Sequence, residues 1–224
     1  MENIINPWTN IKKMNNLYIA DCDKNALQHI INKPFNIKLN NIPHPYMGNP
    51  QKSVVYILLG NFTTECTYES ICTEYEDILL ANLKHEIIEY PFFALNPEFM
   101  ETYMYKWYLN KLLGRLDGEF GRNIVTNYIF TIEYFPYTSE SSFKYFDVPS
   151  QKYSFYLVKE AIKNKKIIIV GRKERLWYNA IPELKNYELK YETNDPKKQN
   201  VRIDENNLGE VNFNKIINKL KAYI

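Results

Sequence analysis

Glycine is scarce in this chain, 7 residues of 224, and the scarcity removes two kinds of nucleotide chemistry. Gly60 and Gly171 each stand alone, so neither the GxGxxG turn of a dinucleotide site nor the GxxxxGK(S/T) cradle of a phosphate loop exists. No serine sits in a G-x-S-x-G elbow, which excludes that nucleophile arrangement. The cysteines, Cys22, Cys66 and Cys72, form no CxxC pair and cannot all pair with one another, the pattern of a reduced, cytoplasmic protein. Cys66 and Cys72 with His85 have the ligand types for zinc but no fourth partner at suitable spacing, so neither metal nor cofactor is expected. Met1-Glu2-Asn3-Ile4 lacks the basic and then apolar layout of a signal peptide. No apolar run approaches the ~20 residues of a membrane span. Nor is there a large excess of either charge: the formal net charge of +2 neither demands nor excludes nucleic acid.

Aromatic residues are plentiful instead, with 19 Tyr and 12 Phe, and hydrophobic runs alternate with helical periodicity. Residues 1–48 read as irregular, with a short helix around Leu27-Gln28-His29-Ile30-Ile31. Ser53 to Leu59 is a continuous β-branched and aliphatic run, the mark of a central strand covered on both faces. Apolar spacing over 69–88 predicts a helix, Pro91–Pro97 an apolar loop, and Glu98 to about Leu116 a second helix burying Tyr103 and Trp107. Asn123 to Phe135 reads as a second central strand. Ser150 is the expected N-cap of a third helix. Lys166 to Val170 reads as a third strand, Arg172 to about Ile181 as a helix, and Tyr187 to Tyr191 as a short fourth strand. A polar loop over Asn194–Gly209 and a closing helix over Phe213–Tyr223 complete the chain. Strands alternating with helices give one α/β domain, a three-layer α/β/α sandwich around a mostly parallel four-stranded sheet.

Ligands of open α/β sheets bind beyond the carboxyl ends of the strands, which points to Gly60–Thr64. Asn61 is a site residue by this position, or a turn-forming asparagine that caps the next segment. An amide orients water but cannot take its proton, so a hydrolytic role needs a carboxylate, for which Glu65 and Glu133 are candidates. Phe92 and Phe93 are either stacking rings or packing at a corner between helices. Tyr134 and Tyr137 divide between core and pocket wall, with Tyr137 the better pocket residue. Arg172, Lys173 and Arg175 either meet phosphate or form a solvated helix face.

Three segments together resemble the uracil-DNA glycosylase superfamily, over roughly residues 43–220. The first runs from Pro43-His44-Pro45-Tyr46 through Asn49-Pro50 and the strand to Gly60-Asn61-Phe62-Thr63. The second joins Tyr134-Phe135-Pro136-Tyr137-Thr138-Ser139 to Val148-Pro149-Ser150-Gln151-Lys152-Tyr153. The third joins Ile168-Ile169-Val170-Gly171-Arg172 to Leu176-Trp177 and Ile181-Pro182-Glu183-Leu184, with a following polar loop. The layout is most similar to a bacterial glycosylase-like branch rather than to the uracil enzymes themselves. The resemblance implies a metal-independent, cofactor-free, monomeric DNA glycosylase that hydrolyses the N-glycosidic bond of a flipped-out modified or damaged base, in repair or phage defence. It puts Asn61 at the water-positioning place and Phe62, Phe92 or Phe93 at the stacking ring. Glu133 to Tyr137 would then face the base, with Tyr137 and Asn194 in contact with it. Arg172, Lys197, Lys198 and Arg202 would hold the DNA backbone. Phe62 and Thr63 replace the superfamily's proline and glycine, the second strand ends without its base-reading asparagine, and no histidine lies in the late loop. Those departures leave a non-catalytic nucleic-acid-binding protein as the alternative, and an enzyme on small nucleosides as a third reading.

Overall fold

A computed structural model describes residues 4–28, 37–63, 71, 73–139, 146–194 and 201–223. Its centre is a mixed five-stranded sheet of α/β type, in the order β1-β3-β2-β4-β5. The strands are β1 (Tyr46–Met47), β2 (Val55–Thr63), β3 (Ile129–Ser139), β4 (Ile167–Val170) and β5 (Lys190–Glu192). The last four run parallel through the pairs β3–β2, β2–β4 and β4–β5, whereas β1 lies antiparallel on β3. The expected four-stranded sheet therefore gains an edge strand. Two residues between prolines and a glycine carry no periodicity by which to announce it.

The runs read as buried strands are buried. Val55 to Gly60, all of Ile167–Val170 and every residue of Ile129–Ser139 lie in the interior. Successive side chains alternate between the sheet's faces. Tyr134 projects to one face, where its ring meets Phe155 of α6 (Gln151–Lys163) and Trp177 of α7 (Glu174–Ala180). Thr131 and Glu133 share the other face.

The remaining helices are short: α1 (Lys24–Leu27), α2 (Glu76–Leu83), α3 (Tyr103–Trp107), α4 (Gly114–Phe120), α5 (Arg122–Tyr128), α8 (Glu205–Leu208) and α9 (Glu210–Lys221). Several expectations are corrected here. The helix read over Glu98–Leu116 is a 3-10 turn at Pro97–Phe99, then α3, then a π-helical turn, Tyr108–Leu113, that runs into α4. The strand expected from Asn123 begins only at Ile129, because Gly121 at φ 78° starts α5 and the segment packs as helix despite its β-formers. The strand expected over Tyr187–Tyr191 starts at Lys190, after a 3-10 turn over Pro182–Asn186. Ser150 does not cap α6 by its side chain. Instead the Gln151 side chain accepts from the Val148 amide (2.8 Å), and the Ser150 amide donates to buried Asp23 (2.8 Å).

Asp23 also ties the irregular N-terminal segment to the sheet, accepting from the Tyr137 hydroxyl at 2.7 Å. That hydroxyl in turn accepts from the Ala20 amide at 3.1 Å, and the Tyr137 ring packs edge-on against buried Trp8. Of the short helix expected around Leu27–Ile31, Leu27 ends α1, and residues 29–31 lie outside the described residues.

Candidate functional site

The pairing of β2 with β3 is irregular at its carboxyl end. Pairing between β2 and β3 is regular as far as Asn61↔Phe135, then slips so that Thr63 faces Ser139. Pro136 lies in the slipped stretch and has no amide hydrogen to continue a ladder. Neighbouring carbonyls turn outward: Pro136 accepts from the His44 amide (2.7 Å) and Thr138 from the Lys38 amide (2.9 Å). The slip brings the Ser139 hydroxyl to Asn61, whose Nδ2 donates to it at 2.5 Å and so fixes the orientation of the amide.

Beside this slip lies a cavity of ≈ 240 Å³. The end of β2 supplies one wall, with Asn61 and Phe62, and β3 supplies Glu133. The turn after β4 supplies Arg172, while α3 and the π-helical turn supply Tyr103, Met104, Trp107 and Tyr108. An aromatic, half-apolar chamber thus holds one carboxyl, one guanidinium and one primary amide.

Glu133 is the unusual member. It sits on a strand that is buried throughout and is itself only 3% exposed. Among the described residues its Oε2 meets no hydrogen-bond partner. Burial pushes the carboxyl up to about 8, against the opposing pull of the Arg172 charge. At neutral pH it is therefore mostly a carboxylic acid, able to donate a proton.

Behind it stands a second buried polar pair. β1 runs alongside β3, with the Glu133 amide donating to the Pro45 carbonyl (2.9 Å), and this pairing delivers His44 next to the cavity. His44 Nε2 lies 3.4 Å from the Tyr108 hydroxyl, and its ring packs on Phe62 at 4.2 Å and against Phe93 at 5.7 Å between centroids. Burial alone lowers the imidazole to about 3, so His44 is neutral. Burial, then the charge of Glu133, raises the Tyr108 phenol well above its ordinary value.

Of the residues singled out in the sequence, Asn61, Phe62, Glu133 and Arg172 come together on this cavity. The others sit elsewhere. Phe92 and Phe93 are wholly buried behind it, Phe92 edge-on to Tyr108 at 5.2 Å. They back the cavity wall and expose no face to it. Tyr137 anchors the N-terminal segment through Asp23. Asn194 is exposed, with its amide donating to the Asn207 carbonyl (2.7 Å). Arg202 is exposed and lines a different surface depression, together with Arg115 and Glu205. Lys197, Lys198, Glu65, Cys66 and Cys72 lie outside the described residues. Among the described residues no three His, Cys, Asp or Glu side chains are grouped so as to hold a metal ion.

The sequence reading missed the contribution of α3. Tyr103 and Trp107 were assigned to the core from their helical spacing, yet Tyr103 is 46% exposed and both line the cavity. Their separation of four residues puts both rings on one helix face, a signal shared by core stripes and by ligand walls alike. His44 carried a weaker cue, a histidine between two prolines. No family model, no curated protein and no solved structure matches this chain.

Proposed function

We propose that the chain hydrolyses an N-glycosidic bond, with the base of a nucleotide extruded from DNA seated in the cavity at the end of β2. One observation carries the reading: the buried Glu133 carboxyl, whose Oε2 has no partner among the described residues, on the wall it shares with Asn61. A buried carboxyl without a hydrogen bond costs stability, so its place on the cavity wall points to a use there. A glycosidase supplies one, because the leaving base needs a proton and the acid must hold that proton near neutral pH. The resemblance to the uracil-DNA glycosylase superfamily supports the same reaction class, and the α/β sheet with its site beyond the strand ends is compatible with that fold.

In the proposed reaction the C–N bond breaks with its electron pair leaving on the base nitrogen. Glu133 protonates the departing base and is left as a carboxylate beside the oxocarbenium-like sugar. Water positioned by the Asn61 amide adds to the sugar carbon and loses its proton to the Glu133 carboxylate. The sum is base plus hydroxyl-terminated sugar, with Glu133 restored. Tyr103, Trp107 and Phe62 supply the faces for stacking, a contact worth about 1–3 kcal/mol per base. Arg172 offsets charge that develops on the base.

The test is base release from a panel of DNAs carrying uracil, deaminated, alkylated and hypermodified bases, scored as alkali-labile abasic sites. One substrate of the panel is expected to be cut. Glu133→Gln should slow its release by about 10²–10⁴-fold, the range of general acid catalysis. Asn61→Ala should slow it as well while leaving the fold intact. Full activity in Glu133→Gln would remove the mechanism.

A further inference from the structure

Arg122 opens α5 and joins three elements through one guanidinium. Its Nε and Nη2 donate to the two carboxylate oxygens of Asp117 in α4, at 2.7 and 3.0 Å, and its Nη1 donates to the Tyr105 hydroxyl in α3. The guanidinium also lies over the Tyr105 ring, 5.2 Å from its centroid. With side chains 27% and 19% exposed, the Arg122–Asp117 pair is sheltered from the solvent that weakens surface pairs. Tyr105 stands two residues from both Tyr103 and Trp107, so a helix of 3.6 residues per turn directs it away from the face on which those rings line the cavity. Five residues make α3 too short to persist alone. Thr102 caps it, its hydroxyl accepting from the Tyr105 amide at 3.1 Å, and Met104 is buried beneath it. Arg122 adds the hold on the far side. Tyr105 precedes the π-helical turn and Asp117 follows it, so the guanidinium also ties together the two flanks of the turn that carries Tyr108. α5 in turn runs directly into β3, the strand of Glu133.

We infer that Arg122 is a positioning residue: acting through Tyr105, it fixes the aromatic wall of α3 where a base can stack on it and still meet the Glu133 carboxyl. The assignment rests on the proposed reaction and extends it to a residue that does not line the cavity. The planar fork of arginine is what the arrangement uses, with two donors on one carboxylate and a third on the phenol. Lysine keeps the charge but is a single compact donor group on a flexible stem, and cannot hold both partners in that plane.

Stacking grips the base alike in the ground state and the transition state, so loosening it raises KM and spares kcat. For whichever DNA of the panel is cut, Arg122→Lys should raise KM about tenfold, the order of one lost stacking contact, with kcat within about twofold of wild type. A merely structural role gives the opposite split, since a smaller folded fraction lowers the apparent kcat and leaves KM alone. An unchanged KM, whatever the kcat, would overturn the inference. Tyr105→Phe removes only the hydroxyl and should raise KM by about threefold, the order of one hydrogen bond, and it carries the test if Arg122→Lys does not fold. Acrylamide quenching of tryptophan fluorescence reads the wall without substrate. Trp8 and Trp177 are fully buried, so the half-buried Trp107 dominates the quenching. The quenching constant should rise in both variants, and wild-type quenching in both would also overturn the inference. Increased quenching with no base released from any DNA would leave the clamp standing and sink the hydrolytic reading. Base release with wild-type KM and quenching would do the reverse.

Discussion

Glu133 shows how one side chain ties stability to chemistry. Its carboxyl has an ordinary value of 4.5 and is held up to about 8 in the fold. Between those values the folded state keeps a proton that the unfolded chain releases. The contribution of this group to stability is therefore fully present below about pH 4.5 and is lost as pH rises toward about 8, where its slope ends. Glu133→Gln, which cannot ionise, should lack that slope. Wild-type melting temperature should drop relative to the variant's between pH 5 and pH 8, and parallel curves in thermal melts would contradict the burial argument. In the proposed reaction activity carries the same sign, since an acid catalyst is lost above its pKa: base release should fall as pH passes about 8. Glu133 was legible in the sequence because an acid in a run of β-formers is conspicuous. Phe92 and Phe93 were misleading for the converse reason, since nothing in an apolar loop tells a ring that stacks on a ligand from one that fills the core. Trp107 and Tyr103 were hidden by the same ambiguity in reverse.

The element that shapes the site is the π-helical turn, Tyr108–Leu113, which sets Tyr108 against the cavity before the chain enters α4. Side-chain periodicity hardly distinguishes a π turn from an α-helix, so the pattern over Glu98–Leu116 read as one continuous helix. The only local mark is Gly114. A Cβ added there would lie 2.5 Å from the Leu109 carbonyl oxygen, a backbone atom that cannot swing aside as a side chain would. Alanine is the better helix former by about 1 kcal/mol, but overpacking costs about 1–3 kcal/mol, and here the obstacle is main chain. Gly114→Ala should therefore destabilise the protein in urea unfolding, and the relief open to it, rewinding the turn as α-helix, would rotate Tyr108 away from the cavity. Base release should then fall along with stability. A variant as stable and as active as wild type would show that the turn does not set the wall. The same lesson applies to α5, where Ile124, Val125 and Tyr128 favour a strand by propensity yet the segment folds as helix after Gly121. Local preference lost to the packing of the whole.

At the scale of the molecule, β2 and β4 were legible from their continuous apolar runs, β3 only with shifted bounds and β5 only in part, and the strand order was not legible, because pairing across the sheet is set by the crossovers. In the observed order β2 lies between β3 and β4, and the cavity is lined by the last residues of β2, by Glu133 from within β3 and by Arg172 just after β4. For the proposed hydrolase two classes of substrate fit that placement, an extruded nucleotide of DNA and a free nucleoside, and long-range charge separates them. The chain as a whole is nearly balanced, at +2, so any pull on a polyanion must come from local groups. The turn after β4 offers such groups: Arg172 on the cavity wall, followed by exposed Lys173 and Arg175. Each phosphate held by a cation makes log K fall with log salt by a further ~0.9 in slope. For a DNA substrate, Lys173→Ala and Arg175→Ala should each flatten that slope by about one and weaken binding across all sequences alike. The check is fluorescence anisotropy of labelled DNA between low and moderate salt, for wild type and each variant. Slopes that do not change would take phosphate contact away from this turn. A base-release rate on free nucleosides that ignores salt would move the substrate from DNA to the nucleoside, with Glu133 and Asn61 in the same roles.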